Sequence, residues 1–246
     1  MKWLVTSLIQ LLFTFFLYAI GILVIGTALY PGLSLCLHVW TTTAASSTET
    51  RILALGLALA GAYFVTGICL ILITGFIRTL FRLKLKEGIY PLSSLEAFKW
   101  ALTNSLMLLV WNIFGDFILL TPIASIFYRL MGAKLGKNVQ INSKFGADLS
   151  LLEIGDETVI GGHSTVICHS VERGRLVLKK VKIGRRVTIG LNAVILPGAQ
   201  IGDGAIIAAG AVLMKDAIVE PRSVFVGVPA INAKERHAHE SDPKGS

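Results

Sequence analysis

The side chains best suited to chemistry are concentrated in the stretch Gly161-Gly162-His163-Ser164-Thr165-Val166-Ile167-Cys168-His169-Ser170-Val171-Glu172. An imidazole can take a proton from an attacking hydroxyl or amine near neutral pH, which makes His163 and His169 candidate general bases. They stand six residues apart, so within a six-residue repeat they fall at equivalent positions on consecutive faces. His169 also borders Glu172 to Leu176, where the repeat breaks. A strand end beside a protruding loop makes the wall of a cleft, which favours His169 over His163, with Glu172 as the carboxylate to orient or charge-balance its ring. An ordinary surface or core-edge histidine would show the same spacing, and spacing alone leaves that reading open.

A second cue lies further on. Ala208-Ala209-Gly210-Ala211-Val212-Leu213-Met214-Lys215-Asp216 is a low-bulk run ending in lysine, and Val226-Gly227-Val228-Pro229-Ala230 is followed by Lys234. Small residues let a ligand approach the backbone, and lysines meet phosphates. Repeat filling with solvent-facing lysines accounts for the same residues. Cys36, Cys69 and Cys168 have no paired spacing, so neither a zinc site nor a disulfide framework is implied, and no metal is expected.

The elements that must position these residues announce themselves by a beat of six. An aliphatic or aromatic residue returns at Val177, Ile183, Ile189, Ile195, Ile201, Ile207, Leu213, Val219 and Phe225. Four places after each stands a small or β-branched residue or proline, as at Val187, Ala193, Ala199, Ala205 and Ala211. Glycine often follows the aliphatic position, as at Gly184, Gly190 and Gly202. A left-handed parallel β-helix, with three short faces per coil, requires this pattern. The aliphatic residue fills the interior, the small one packs at the corner, and glycine gives the turn its backbone freedom. The beat starts at Leu135-Gly136, slips by one residue near Asp148 and resumes at Ile154-Gly155. Between Val166 and Val177 it is one residue short of two hexads, so residues 172–176 should leave the coil as a short loop. The solenoid is expected over 135–230, roughly five coils of about 18 residues.

The N-terminal half belongs to another solvent. Trp3 to Tyr30 and Ile52 to Ile77 contain no charged residue, and each exceeds the roughly 20 apolar residues that cross a bilayer. The first run is too long for a cleaved signal peptide. Arg78, Arg82, Lys84 and Lys86 follow the second run, whereas Pro31 to Thr50 has no Lys or Arg. Positive flanks stay in the cytoplasm, so both ends of the hairpin, and the solenoid with them, are expected there. A third apolar region, Phe98 to Tyr128, carries Asn104, Ser105, Asn112 and Asp116 within about a third of a helical wheel. Helices lying in the membrane interface are the expected form for it. The division is thus a transmembrane helical hairpin over 1–90, interfacial helices over 91–134, the β-helix over 135–230, and a polar tail over 231–246.

Bulk composition agrees. The hydrophobic fraction is 54% and the net charge is +8, with part of the surplus in a juxtamembrane cluster that suits anionic lipid. No nucleic-acid module and no aromatic-basic interleaving appear, so nucleic acid is not an expected partner.

Residues from about Ala133 to Lys234 resemble the hexapeptide-repeat acyltransferases. The closing pattern Ala209-Gly210, Met214-Lys215-Asp216 and Gly227-Val228-Pro229-Ala230 is similar to the end of the galactoside and maltose O-acetyltransferases. Leu130-Met131-Gly132-Ala133-Lys134-Leu135-Gly136, Ile154-Gly155-Asp156, and Cys168-His169-Ser170 with Glu172 and Gly174 resemble the C-terminal membrane domain of certain nonribosomal peptide synthetases. The resemblance implies a homotrimer with active sites between neighbouring solenoids, and acetyl-CoA or another acyl-CoA as donor. It places His169 at the general base, Ala209 and Lys215 along the donor tunnel, and Lys234 within reach of CoA phosphate. Ala208, Met214 and Thr188 depart from the family's usual glycine, threonine and aromatic residue, which puts the polarity and acyl size of the donor pocket in question. The expected function is a membrane-anchored acyltransferase acting on a hydroxyl or amine of an envelope-related acceptor. The rivals are a non-catalytic trimeric scaffold on the membrane and a zinc hydro-lyase on the same fold; the latter needs three histidines, and the solenoid has only His163 and His169.

Overall fold

The computed structural model describes residues 2–236, with side chains from Ser7 onward. The end of the polar tail, His237–Ser246, lies outside the described residues. The chain divides into two compact units, one running through Phe81 and taking in Ser105–Phe114, the other comprising Arg82–Asn104 and the chain from Gly115 onward.

In the first unit α1 (Lys2–Thr42) and α2 (Thr48–Leu80) form a hairpin. Both are long and apolar enough to cross a membrane. The apolar run ends at Tyr30, yet α1 continues through Pro31 to Thr42, leaving a turn of residues 43–47 where the sequence suggested a longer connection. Gly32 brings the helices close: a Cβ there would lie 2.9 Å from the Ala62 Cβ, the small-residue contact by which apolar helices pack in lipid. Gly67 leaves the space that the Phe114 ring fills, and the Tyr63 hydroxyl donates to the Ile113 carbonyl at 2.6 Å. Arg51 stacks its guanidinium 3.5 Å above the Trp40 ring.

The second unit is the solenoid with its short helices. α3 (Leu95–Ile113) belongs to it up to Asn104 and passes into the helical unit at Ser105. α4 (Gly115–Ile118) and α5 (Pro122–Leu130) follow. Three parallel faces then wind upward. Gln140, Val159, Thr188, Ile206 and Val224 stack on one. Thr165, Val194 and Val212 stack on the second, and Lys134, Glu153, Lys182, Gln200 and Ile218 on the third. This is the left-handed β-helix that the hexads call for. Successive rungs from Thr188 onward are eighteen residues apart. Ile154, Ile183, Ile201 and Val219 point inward from one face and are at most 4% exposed, each worth about 1.5–3 kcal/mol on burial. Ala193, Ala199, Ala205 and Ala211 are fully buried at the corners.

The glycine after the aliphatic position has a different reason from the expected one. Gly155 does not take positive φ; its missing Cβ would lie 2.7 Å from the Arg185 backbone nitrogen in the next coil. Close approach of coils, not backbone freedom, selects it. The left-handed corner falls two residues later, at Glu157, His163, Arg186, Asn192 and Gly204.

Each end of the coil stack carries a partial cap, which blunts an exposed sheet edge. The α5 side chain of Arg129 donates to the Leu135 and Gly136 carbonyls at 3.3 and 2.8 Å. At the far end Ile231–Asn232 turns back antiparallel on Phe225–Val226.

Candidate active site

Residues 172–176, expected as a short loop, are the tip of a β-hairpin. His169–Glu172 pairs antiparallel with Arg175–Leu178, from His169 opposite Leu178 to Glu172 opposite Arg175. Arg173 and Gly174 make the two-residue turn with φ of 48° and 74°, the double positive φ that matches strand twist. Gly88–Pro91 adds a third strand against Arg175–Leu178. The hairpin explains the broken beat: Val159 and Thr188 are stacked neighbours twenty-nine residues apart, eleven more than a regular coil. Lys179 N–H closes the hairpin base on the Cys168 carbonyl at 2.8 Å.

His169 opens the hairpin, half-buried, with 26% of its side chain exposed. Its Nδ1 lies 2.5 Å from Oδ2 of Asp148, whose side chain is fully buried. A buried carboxylate is tolerable only when hydrogen-bonded. Asp148 accepts from Cys168 N–H at 3.2 Å and from Asn104 Nδ2 at 2.9 Å as well as facing the imidazole. A carboxylate at Nδ1 can only accept, so that nitrogen carries a proton, and in the neutral ring the free lone pair is on Nε2. The edge of one ring meets the other between Trp100 and His169, with centroids 4.9 Å apart and planes at 64°.

The imidazole's carboxylate is therefore Asp148, not Glu172. Side chains alternate along a strand, so Glu172, three places after His169, points to the opposite face. Two places from Ser170 it shares that residue's face: Ser170 Oγ donates to Glu172 Oε1 at 2.7 Å, and Lys215 ion-pairs with the same oxygen. The Lys215 ammonium first, and then the Ser170 hydroxyl, hold the Glu172 carboxyl below its ordinary range. The sequence did carry a signal for Asp148, because the extra residue of the first coil falls there. Gln140 and Val159 stack nineteen residues apart rather than eighteen. The surplus is absorbed around Asp148, at φ 58° and ψ 43°, followed by a 3-10 turn over Leu149–Leu151.

The other candidates separate. His163 is an exposed corner residue at φ 55°, its ring 6.2 Å from that of Phe145, and so is not equivalent to His169. Lys215 lies with Glu172 on the hairpin's outer face. Ala209 is exposed at a corner, and Lys234 is exposed with its backbone N–H on Asn232 Oδ1 at 3.1 Å. Lys179 pairs with Asp216 at 2.5 Å, and Lys180 with Glu87 at 3.3 Å, tying the hairpin's exit to both neighbours. Among the described residues, no three His, Cys, Asp or Glu side chains gather as a metal site would require.

Residues 180–215 match the family model described as bacterial transferase hexapeptide, six repeats. No curated protein sequence matches the chain. Solved structures do. A hexapeptide-repeat-containing acetyltransferase from Vibrio cholerae is 25% identical over 42% of this chain and 61% of its own, with a TM-score of 0.38. A galactoside acetyltransferase in complex with coenzyme A is 26% identical over 44% and 67%, with a TM-score of 0.37. A maltose O-acetyltransferase from Clostridium difficile is 24% identical over 61% and 92%, with a TM-score of 0.45. The chain thus spans under two thirds of the Vibrio protein's length. Residues 180–215, within the left-handed parallel β-helix, thus carry the bacterial transferase hexapeptide repeat.

Proposed function

We propose that this protein is a membrane-anchored acyltransferase whose general base is His169. The observation that carries the reading is the His169–Asp148 pair at the base of the hairpin, on a solenoid whose repeats match those of bacterial transferases. Asp148 fixes the Nδ1–H tautomer and balances the imidazolium that forms. Nε2 takes the proton of an acceptor hydroxyl or amine as that group attacks the thioester carbonyl of an acyl-CoA. The C–S bond breaks as the tetrahedral intermediate collapses, and the proton passes from Nε2 to the departing thiolate. Acetyl-CoA is the first donor to test. Ala209, Lys215 and Lys234 are proposed on the donor side from the sequence resemblance. A homotrimer completes the cleft in this reading, because one solenoid offers an open wall rather than an enclosed site.

The apolar helices α1 and α2, with Arg78 in the last turn of α2 and Arg82, Lys84 and Lys86 after it, support an anchor that keeps the solenoid in the cytoplasm. An anchored transferase suits an acceptor that is itself lipid-linked or an envelope precursor. The test uses radiolabelled acetyl-CoA and the protein's native membranes as acceptor source, with label followed into lipid and aqueous fractions. His169→Ala should lower transfer about 10²–10⁴-fold while donor binding persists, and Asp148→Asn should fall in the same range because an amide no longer enforces the tautomer. Undiminished transfer by His169→Ala rejects the mechanism.

A further inference from the structure

The Asp148–His169 pair is held by a residue outside the coils. Asn104 lies on α3, ahead of the first coil, and its side-chain amide grips Asp148 twice. Nδ2 donates to Asp148 Oδ1 at 2.9 Å, and Oδ1 accepts from the Asp148 backbone N–H at 3.4 Å. Nδ2 also donates to the Trp100 carbonyl at 3.0 Å, one helical turn back. One side chain thus engages the backbone and the carboxylate of the same left-handed residue, and the helix that presents it also presents Trp100 to the imidazole. Oδ1 of Asp148 is turned to Asn104, which leaves Oδ2 for His169 Nδ1 and Cys168 N–H. A solvent-facing asparagine would do none of this. An apolar residue at 104 would leave a buried carboxylate oxygen unpaired.

We propose that Asn104 is a positioning residue of the transferase site. It sets the orientation of Asp148, and through Asp148 it sets the tautomer and aim of His169. This rests on the acyltransferase reading of the pair. It adds that the site is not a property of the coils alone: the segment between the second apolar helix and the solenoid supplies part of it.

The experiment uses the full chain in detergent, with nitrogen-15-labelled histidine, and assigns His169 by the signal lost in His169→Ala. Wild-type His169 should show one tautomer, protonated at Nδ1, with that proton far downfield as a short hydrogen bond to carboxylate requires. Asn104→Ala should lose the downfield proton and show both tautomers. With acetyl-CoA and native membranes, its turnover should fall about 10²-fold, as for a small misplacement of a catalytic group, with KM for acetyl-CoA unchanged. In the His169→Ala background, adding Asn104→Ala should cost nothing more. A wild-type imidazole signal in Asn104→Ala overturns the proposal, as does a rate loss that persists undiminished without His169. If Asn104→Ala does not fold, Asn104→Ser decides. Its shorter side chain stays polar but cannot span the distance to the Asp148 carboxylate, so both tautomers should appear; a wild-type imidazole signal overturns the proposal. The imidazole spectrum needs no turnover, so failure of the transferase reading and failure of the positioning role are separately visible.

Discussion

Asp148 imposes its charge on the neighbour it hydrogen-bonds. Cys168 is fully buried between a coil residue and His169. Burial first, and the Asp148 charge second, push its thiol well above the ordinary range. Only the thiolate is nucleophilic, so Cys168 should be inert at neutral pH despite adjoining the proposed base. Native protein treated with N-ethylmaleimide at pH 8 should leave Cys168 unmodified by mass spectrometry, and denatured protein should be alkylated there. Because burial is the larger cause, Asp148→Asn should leave the native thiol inert too. The linkage has a definite sign. Folding favours the protonated thiol, so that contribution to stability is complete below the unfolded thiol's pKa and is lost as pH rises through the raised folded value. Alkaline unfolding should therefore begin later in Cys168→Ala than in wild type, once the two are matched for stability at neutral pH.

At the scale of elements, what a glycine tolerates depends on what lies where its Cβ would go. Gly155 has the backbone of the next coil where a Cβ would go, whereas a Cβ at Gly56 in α2 would meet nothing within 4 Å. Gly155→Ala should cost about 1–3 kcal/mol, the usual range for overpacking, and Gly56→Ala should leave stability unchanged or raised. Thermal melts of the two variants in one detergent check the contrast. The coils were legible in sequence because each hexad repeats one local solution: an aliphatic residue inward, a small one at the corner, a glycine under the next coil. The hairpin was legible only as a shortage of one residue, and its third strand not at all, since antiparallel pairing of Gly88–Pro91 with Arg175–Leu178 joins segments far apart in the chain. Asp148 was legible only as a surplus of one. Its partner Asn104 stood out as a polar residue in an apolar helix, but periodicity reports which face a residue occupies and not what meets it there. Glu172 was drawn to the imidazole by nearness in sequence, which strand alternation overrules.

At the scale of the whole molecule, the apolar hairpin and the solenoid are joined in one chain in which Arg82, Lys84 and Lys86 follow the second apolar helix. In the proposed topology the turn of residues 43–47 lies across the membrane from the coils. With the native cysteines replaced, a cysteine at Ser46 should react with a membrane-impermeant thiol reagent in intact cells, and one at Ser223 should react only after lysis. Labelling at Ser223 alone in intact cells reverses the topology. The donors that satisfy Asp148 also have an order in time. Synthesis runs from the N-terminus, so Asn104 leaves the ribosome before Asp148, and Cys168 and His169 leave after it. The carboxylate can be claimed by α3 while the hairpin is still unmade, and the base arrives last, at an acid already aimed.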